Sequence, residues 1–333
     1  MSYSFDVAIL GAGAAGLMAA ASARKGGASV VVLDHAAEPG RKILISGGGR
    51  CNFTHLDAKA ENFLSANRHF MRSALAGYTP RDFLALVERH DIAWEEKTEG
   101  QLFCRQSARD IVSLLLREAE GCELRFNTSV RSVTKGDVFC IQTDAGEVRA
   151  TNLILATGGL SIPKLGATDL SLRLARQFGL PVVPTVPGLV PLTLETPLPE
   201  LAGVSLPVRA SMGKIGFTDG MVFTHRGLSG PAILQISSYQ NGPLDPPLID
   251  MMPGVDAREA LGAIKKARPR AEPPSLLQEL PQRLARHIAQ NSLGDLTCTL
   301  ANLPDKRIAD LAAQIASWRP RLSGTEAMPR PRS

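Results

Sequence analysis

The residues able to do chemistry are concentrated at the start of the chain. Gly11, Gly13 and Gly16 follow a short apolar run, residues 7–10, in GxGxxG spacing, and Asp34 closes the next such run, residues 29–33. Each glycine has its own task. Gly11 permits a tight turn, Gly13 lets the main chain approach a pyrophosphate, and Gly16 lets a helix pack on the strand. Ala14 and Ala15 open that helix, whose first N–H groups and partial positive charge suit phosphate. A carboxylate at Asp34, with His35 beside it, can accept both hydroxyls of an adenosine ribose and would repel a 2′-phosphate. A second cluster, Gly47-Gly48-Gly49, lies between Arg41-Lys42 and Arg50-Cys51-Asn52, with Ser46 leading into it. Three adjacent glycines cost backbone entropy. They are useful where a flat ring must lie directly on the main chain. Arg41, Lys42 and Arg50 put positive charge near a pyrophosphate or the N1–O2 edge of a flavin, where charge stabilises the reduced ring. Together the two clusters predict FAD.

A lone GxGxxG is weak evidence; here strand, turn, helix, strand and acid fall in the order a dinucleotide site requires. The helix, residues 14–25, is rich in alanine and ends at Gly26-Gly27. Helical patterns follow at 79–90 and 107–120. Short strands are expected at 124–126, 130–134, 138–143, 147–150 and 152–156, the last ending in Ala156-Thr157-Gly158-Gly159. The proline-rich stretch 181–191 marks a boundary. Residues 192–250 read as β-rich, with strands at 206–212, 214–217, 221–224 and 232–237. Helix-spaced apolar residues recur at 257–266, 275–291 and 305–318. The expected class is α/β: a Rossmann-like FAD-binding domain over 1–190, a β-rich insert over 191–253, a small helical insert over 254–320, and a disordered tail over 321–333.

The 333 residues carry a net charge of +5, and the mean hydropathy is +0.01. No apolar stretch reaches membrane-spanning length and no export signal opens the chain, so a cytoplasmic protein without a membrane partner is expected. The five cysteines, Cys51, Cys104, Cys122, Cys140 and Cys298, form no CxxC and suggest neither zinc nor disulfides. No basic helix or aromatic-basic module marks a nucleic-acid partner, and an anionic cofactor and substrate account for the basicity equally well. The oligomeric state is not written in the sequence.

Substrate chemistry is less marked. His225 and Arg226 sit between β-like runs and are followed by Gly227 and Gly230. An imidazole and a guanidinium there could orient a carbonyl and deliver a proton; a structural hydrogen-bonding histidine fits the same position. Cys51, without a partner cysteine nearby in sequence, reads as a small packing residue rather than a redox thiol.

The segment GRK…SGGGRCN resembles the BaiN/YhiN-type flavoproteins, NAD(P)/FAD-dependent oxidoreductases. The resemblance extends through Ala156-Thr157-Gly158-Gly159, Ser161-Ile162-Pro163-Lys164 and Phe223-Thr224-His225-Arg226-Gly227-Leu228-Ser229-Gly230-Pro231. It implies an FAD domain of the glutathione reductase and fumarate reductase type. In it Gly11, Gly13 and Gly16 hold the pyrophosphate, and Asp34 takes the place where glutamate is commoner. Arg41, Lys42 and residues 46–52 line the flavin, Val130 falls near adenine, and Thr157 and Gly158 pass close to the cofactor. Without a second GxGxxG, NAD(P)H is expected only as a transient electron donor.

Two departures stand out. A Gly-Asp-Gly turn common after ATGG is replaced by Gly166-Ala167-Thr168-Asp169, and a glycine-rich segment that completes the FAD domain is expected to be missing past residue 326. Three readings follow. One is an FAD-dependent oxidoreductase passing hydride to a carbonyl-conjugated C=C bond of a small molecule. Another is a truncated, impaired remnant that binds FAD weakly or not at all. The third is an RNA-modifying flavoprotein.

Overall fold

The computed structural model describes residues 3–97, 100–240, 242, 244–293 and 296–326. The chain divides into two units, Met1–Val183 and Pro184–Ser333.

The first unit opens with β1 (Tyr3–Leu10), α1 (Ala14–Lys25), β2 (Val30–Leu33), α2 (Arg41–Ile45) and β3 (Asn52–His55). It continues with α3 (Arg72–Gly77), α4 (Pro80–Arg89), β4 (Trp94–Glu96), β5 (Gln101–Cys104) and α5 (Arg109–Glu118). It closes with β6 (Glu123–Arg125), β7 (Val130–Lys135), β8 (Phe139–Thr143), β9 (Gly146–Leu155) and α6 (Leu170–Gln177). The main sheet has the order β6-β2-β1-β9-β8-β7. Its first four strands are parallel and its last two join antiparallel. All four residues of β2 are buried, as a strand covered on both faces must be.

The two strands expected at 147–150 and 152–156 are one. Residues 146–150 of β9 pair with β8 on one side, while 148–155 run parallel to β1 on the other. A small sheet, β3-β5-β4, was not foreseen. Its strands are only three or four residues long, too short for an alternating pattern to show.

Helix α4 starts on a full capping arrangement. Thr79 Oγ1 accepts from the Asp82 N–H, the Asp82 carboxylate accepts from the Thr79 N–H, and Pro80 occupies the first helical position. Glu118, the last residue of α5, accepts from Lys25 at the end of α1 and lies 2.9 Å from Nε2 of His90, which caps the end of α4.

The second unit contains β10 (Leu192–Leu194), β11 (Ser205–Met212), β12 (Ile215–Phe223), β13 (Gly227–Ser229), α7 (Pro231–Ser237) and β14 (Leu248–Asp250). After these come α8 (Ala257–Ala267), α9 (Gln282–Leu293), α10 (Asp305–Ala316) and β15 (Leu322–Thr325). The sheet order is β14-β11-β12-β13-β10-β15. The runs at 214–217 and 221–224 form the single strand β12. Residues 232–237, read as a strand, are helical: Ala232, Ile233, Ile236 and Ser237 are buried together, which is one helix face, and Pro231 starts the turn. The β-rich and helical segments do not keep separate cores. Side chains from β10–β15 and from all four helices share one apolar cluster. Residues 322–325, expected in the tail, pair with β10, where Leu322 and Thr325 are buried. The remainder of that expectation, 327–333, lies outside the described residues.

Candidate functional site

The crevice lies at the C-terminal ends of the parallel strands, where β1, β2 and β9 stop at Leu10, Leu33 and Leu155. It consists of three cavities that share walls. The first, about 270 Å³, is bounded by Leu10, Gly11, Asp34, His35, Thr128, Ser129, Val130, Thr157 and Arg173. The second, also about 270 Å³, shares Gly11, Asp34, His35 and Thr157 and adds Gly13, Ala14, Ala15, Arg41, Lys42, Ala156 and Gly158. The third, about 630 Å³, shares Ala14, Ala15 and Lys42 and adds Met18, Ser46, Cys51, Asn52, Phe53, Phe63, Tyr78 and Phe83. The series passes from a mixed end, over a helix start, to an apolar end. An adenosine–pyrophosphate–ring ligand has the same sequence of chemistries.

The glycines separate the demands of the fold from those of a ligand. A Cβ on Gly16 would lie 1.8 Å from the Gly11 carbonyl oxygen, and one on Gly11 would lie 2.4 Å from that of Ala156. Both are absent because backbone meets backbone. A Cβ on Gly13 would meet nothing within 4 Å, although this residue faces the middle cavity. The protein's own packing does not require a glycine there, and the space it leaves open belongs to the middle cavity. No side chain caps α1, so its first-turn N–H groups remain available beside the same space.

Asp34 is more constrained than a free ribose acceptor. Its Oδ2 accepts from the Ala12 N–H at 2.7 Å and its Oδ1 from the Ala36 N–H at 2.8 Å. Each oxygen keeps a lone pair for a ribose hydroxyl. Arg41 donates to the Leu165 carbonyl at 3.1 Å, and Lys42 to Gly159 at 2.7 Å, so both cations are held at the rim by the loop after β9. Thr157 and Ser171 hydroxyls meet at 2.6 Å.

Several expected positions fall elsewhere. Arg50 pairs with Glu95 of β4 at 2.6 Å and lines none of the three cavities. Gly47, Gly48 and Gly49 form a turn with φ of 56°, 66° and 84°, a left-handed run that side chains resist. A Cβ on Gly47 would press on Phe103 of β5 at 2.8 Å, which makes that glycine a packing requirement, whereas Gly48 opens onto free space. Cys51 is buried, and burial pushes its thiol above the ordinary value. Cys104, close enough to raise Cys51-facing repulsion as a secondary cause, is pushed up to about 12 chiefly by burial. Neither is a ready thiolate.

His225 and Arg226 belong to the second unit. They form the exposed tip between β12 and β13, where Thr224 Oγ1 accepts from the N–H groups of Arg226 and Gly227. Their side chains make no hydrogen bond among the described residues. Thr128, Ser129 and Arg173 in the first cavity were missed, as were Met18, Phe53, Tyr78 and Phe83 at the apolar end. These come from six separate segments, and no local pattern joins them.

Residues 5–272 match the family described as the HI0933-like protein Rossmann domain. The chain belongs to the HI0933-like family. As a family member it is a flavin-dependent oxidoreductase with a Rossmann-type FAD-binding fold. It is 44% identical over 333 residues to the ribosomal RNA dihydrouridine synthase of Escherichia coli (strain K12), covering 97% of this chain and 82% of that protein. It is 42% identical over 340 residues to the protein of the same name from Haemophilus influenzae, covering 98% of this chain and 84% of the relative. The 3-dehydro-bile acid delta(4,6)-reductase of Clostridium scindens is 30% identical over 247 residues, 70% of this chain and 60% of that one. Among the described residues, no helix of this HI0933-like chain is long and apolar enough to cross a membrane.

Proposed function

We propose that the protein reduces the C5–C6 double bond of a uridine in ribosomal RNA, using FAD that is recharged transiently by NAD(P)H. The observation that carries this reading is the similarity, across nearly the whole chain, to two curated proteins named for that activity. The chemistry expected from the sequence agrees with it, since the uracil C5–C6 bond is conjugated to the C4 carbonyl.

When bound, reduced FAD supplies the hydride. The chain supplies position and exclusion of water. Gly13 and the start of α1 take the pyrophosphate, Asp34 the ribose, and the cavity around Met18, Phe53 and Phe83 gives a flat heterocycle an apolar wall. His225 and Arg226, whose side chains make no hydrogen bond among the described residues, are the groups this reading offers for proton delivery and carbonyl orientation.

The test uses purified, flavin-loaded protein with NADPH and ribosomal RNA transcribed in vitro, which carries no modification. Dihydrouridine is counted by mass spectrometry after digestion to nucleosides. Accumulation that requires NAD(P)H is expected. Unchanged RNA, together with reduction of a 3-oxo-4-ene steroid, would replace this reading with a small-molecule reductase.

A further inference from the structure

Between Glu61 and Asp82 the chain carries Arg68, His69, Arg72 and Arg81 and no carboxylate. The same stretch exposes large apolar side chains: Phe70 is 67% exposed, Leu64 52%, Phe63 42% and Tyr78 41%. Arg68, Arg72 and Arg81 are all exposed, and none pairs with a carboxylate among the described residues. The segment is shaped by its own turns rather than by a core. The Asn67 side chain accepts from the His69 N–H at 3.0 Å, and the Asn67 carbonyl from the Phe70 N–H at 2.9 Å. Phe70 is left exposed, and Arg68 and Arg72, two residues away on either side in the sequence, are exposed with it.

Exposed aromatic rings cost solvation unless something covers them. The neighbours of these rings indicate what does. Arginines without carboxylate partners, interleaved with aromatics, match a chain of phosphates carrying flat bases, because each base can stack on a ring while its phosphate meets a guanidinium. This is an aromatic-basic module that the sequence reading did not credit, because it became visible only once these rings were seen to be exposed. A membrane or an apolar protein face would not need Asn62, Ser65, Asn67 and Ser73 placed among the rings. The strip also leads inward. Phe63, Leu75 and Tyr78 form part of the wall of the apolar cavity that Lys42 and Ser46 bound on the cofactor side. A base taken out of its strand could pass from the strip into that cavity.

We infer that residues 62–81 form a docking strip for single-stranded RNA, with Phe70 as a stacking platform and Arg68 and Arg72 as phosphate contacts. The inference rests on the proposed function for the identity of the ligand and adds where that ligand is held.

The probe is a fluorescein-labelled, single-stranded, uridine-containing RNA oligonucleotide, titrated into the flavin-loaded protein at several salt concentrations. Phe70→Ala should weaken binding roughly five- to a hundredfold, as for loss of one stacked base, and Phe70→Trp should restore it. Arg68→Ala with Arg72→Ala should lower the slope of log affinity against log salt by about 1.4, two contacts at about 0.7 each. Visible flavin absorbance should be unchanged in all three proteins. Full-strength RNA binding by the variants, no binding by the unaltered protein, or loss confined to anionic vesicles or to self-association would each overturn the inference. The two readings fail separately. Variant-sensitive RNA binding without dihydrouridine keeps the strip and removes the reaction; dihydrouridine formed at unchanged KM by the variants keeps the reaction and removes the strip.

Discussion

At the scale of single residues, the glycine turn offers an experiment in which fold and ligand give opposite answers. Gly16→Ala would drive a methyl group into the Gly11 carbonyl at 1.8 Å, so the protein should lose about 3 kcal/mol, the upper end of the overpacking range, and unfold earlier. Gly13→Ala meets no protein atom within 4 Å and should keep the unaltered melting temperature when flavin-free. Its bound flavin, measured by absorbance after purification, should fall at least tenfold. Equal flavin content in Gly13→Ala and the unaltered protein would remove the pyrophosphate from that position. These residues were legible because turn, phosphate and helix start are adjacent in sequence and obey one spacing. Arg50 was not. Nothing in the pattern Gly-Gly-Gly-Arg announces that Glu95, forty-five positions away, takes its charge. Nor does the sequence show that both Asp34 oxygens already hold backbone N–H groups.

At the scale of elements, three helices meet at one carboxylate. Glu118 joins the ends of α1 and α4 to the end of α5, and hydrogen bonds from Lys25 and then His90 hold its carboxyl below the ordinary value of 4.5. A lowered carboxyl stabilises the fold above its unfolded value and loses that contribution as pH falls through the lowered folded one. Glu118→Gln should therefore cost about 1 kcal/mol near neutrality, small because Lys25 is exposed. The difference from the unaltered protein, read by urea unfolding, should close as the pH falls beneath 4.5 and the carboxyl is protonated in both states. A gap that persists into acid would assign the effect to packing. Helices with a marked apolar face, such as α4, α5 and α8, were readable from spacing and caps. Helix α7 was not, because its apolar run of Ala, Ile and Leu is short, a pattern that strand and buried helix share. Strands β9 and β12 were each split because a polar or glycine residue in mid-strand reads as a turn until both partners are known.

At the scale of the whole molecule, each unit keeps its own apolar clusters. The connecting stretch exposes Val183 (78%) and Val186 (80%), among Pro181, Pro184 and Pro187. Thermolysin, which cuts beside exposed aliphatic and aromatic residues, should give early fragments ending in two places, 63–70 and 182–189. The single-stranded RNA probe should protect the first and leave the second open. First cuts within β11 or α5 would contradict this distribution of order. The boundary itself was legible from its prolines, but the single core of the second unit was not, since periodicity reports which face of an element is apolar and not what covers it.

The pairing of β15 with β10 has one more consequence. The Glu326 N–H donates to the Pro191 carbonyl at 3.1 Å, so two positions far apart in the sequence lie side by side and bracket the sheet and helices between them. A body with adjacent ends behaves as a cassette. Residues 191–326 could be grafted into a loop of another scaffold at little cost in loop closure.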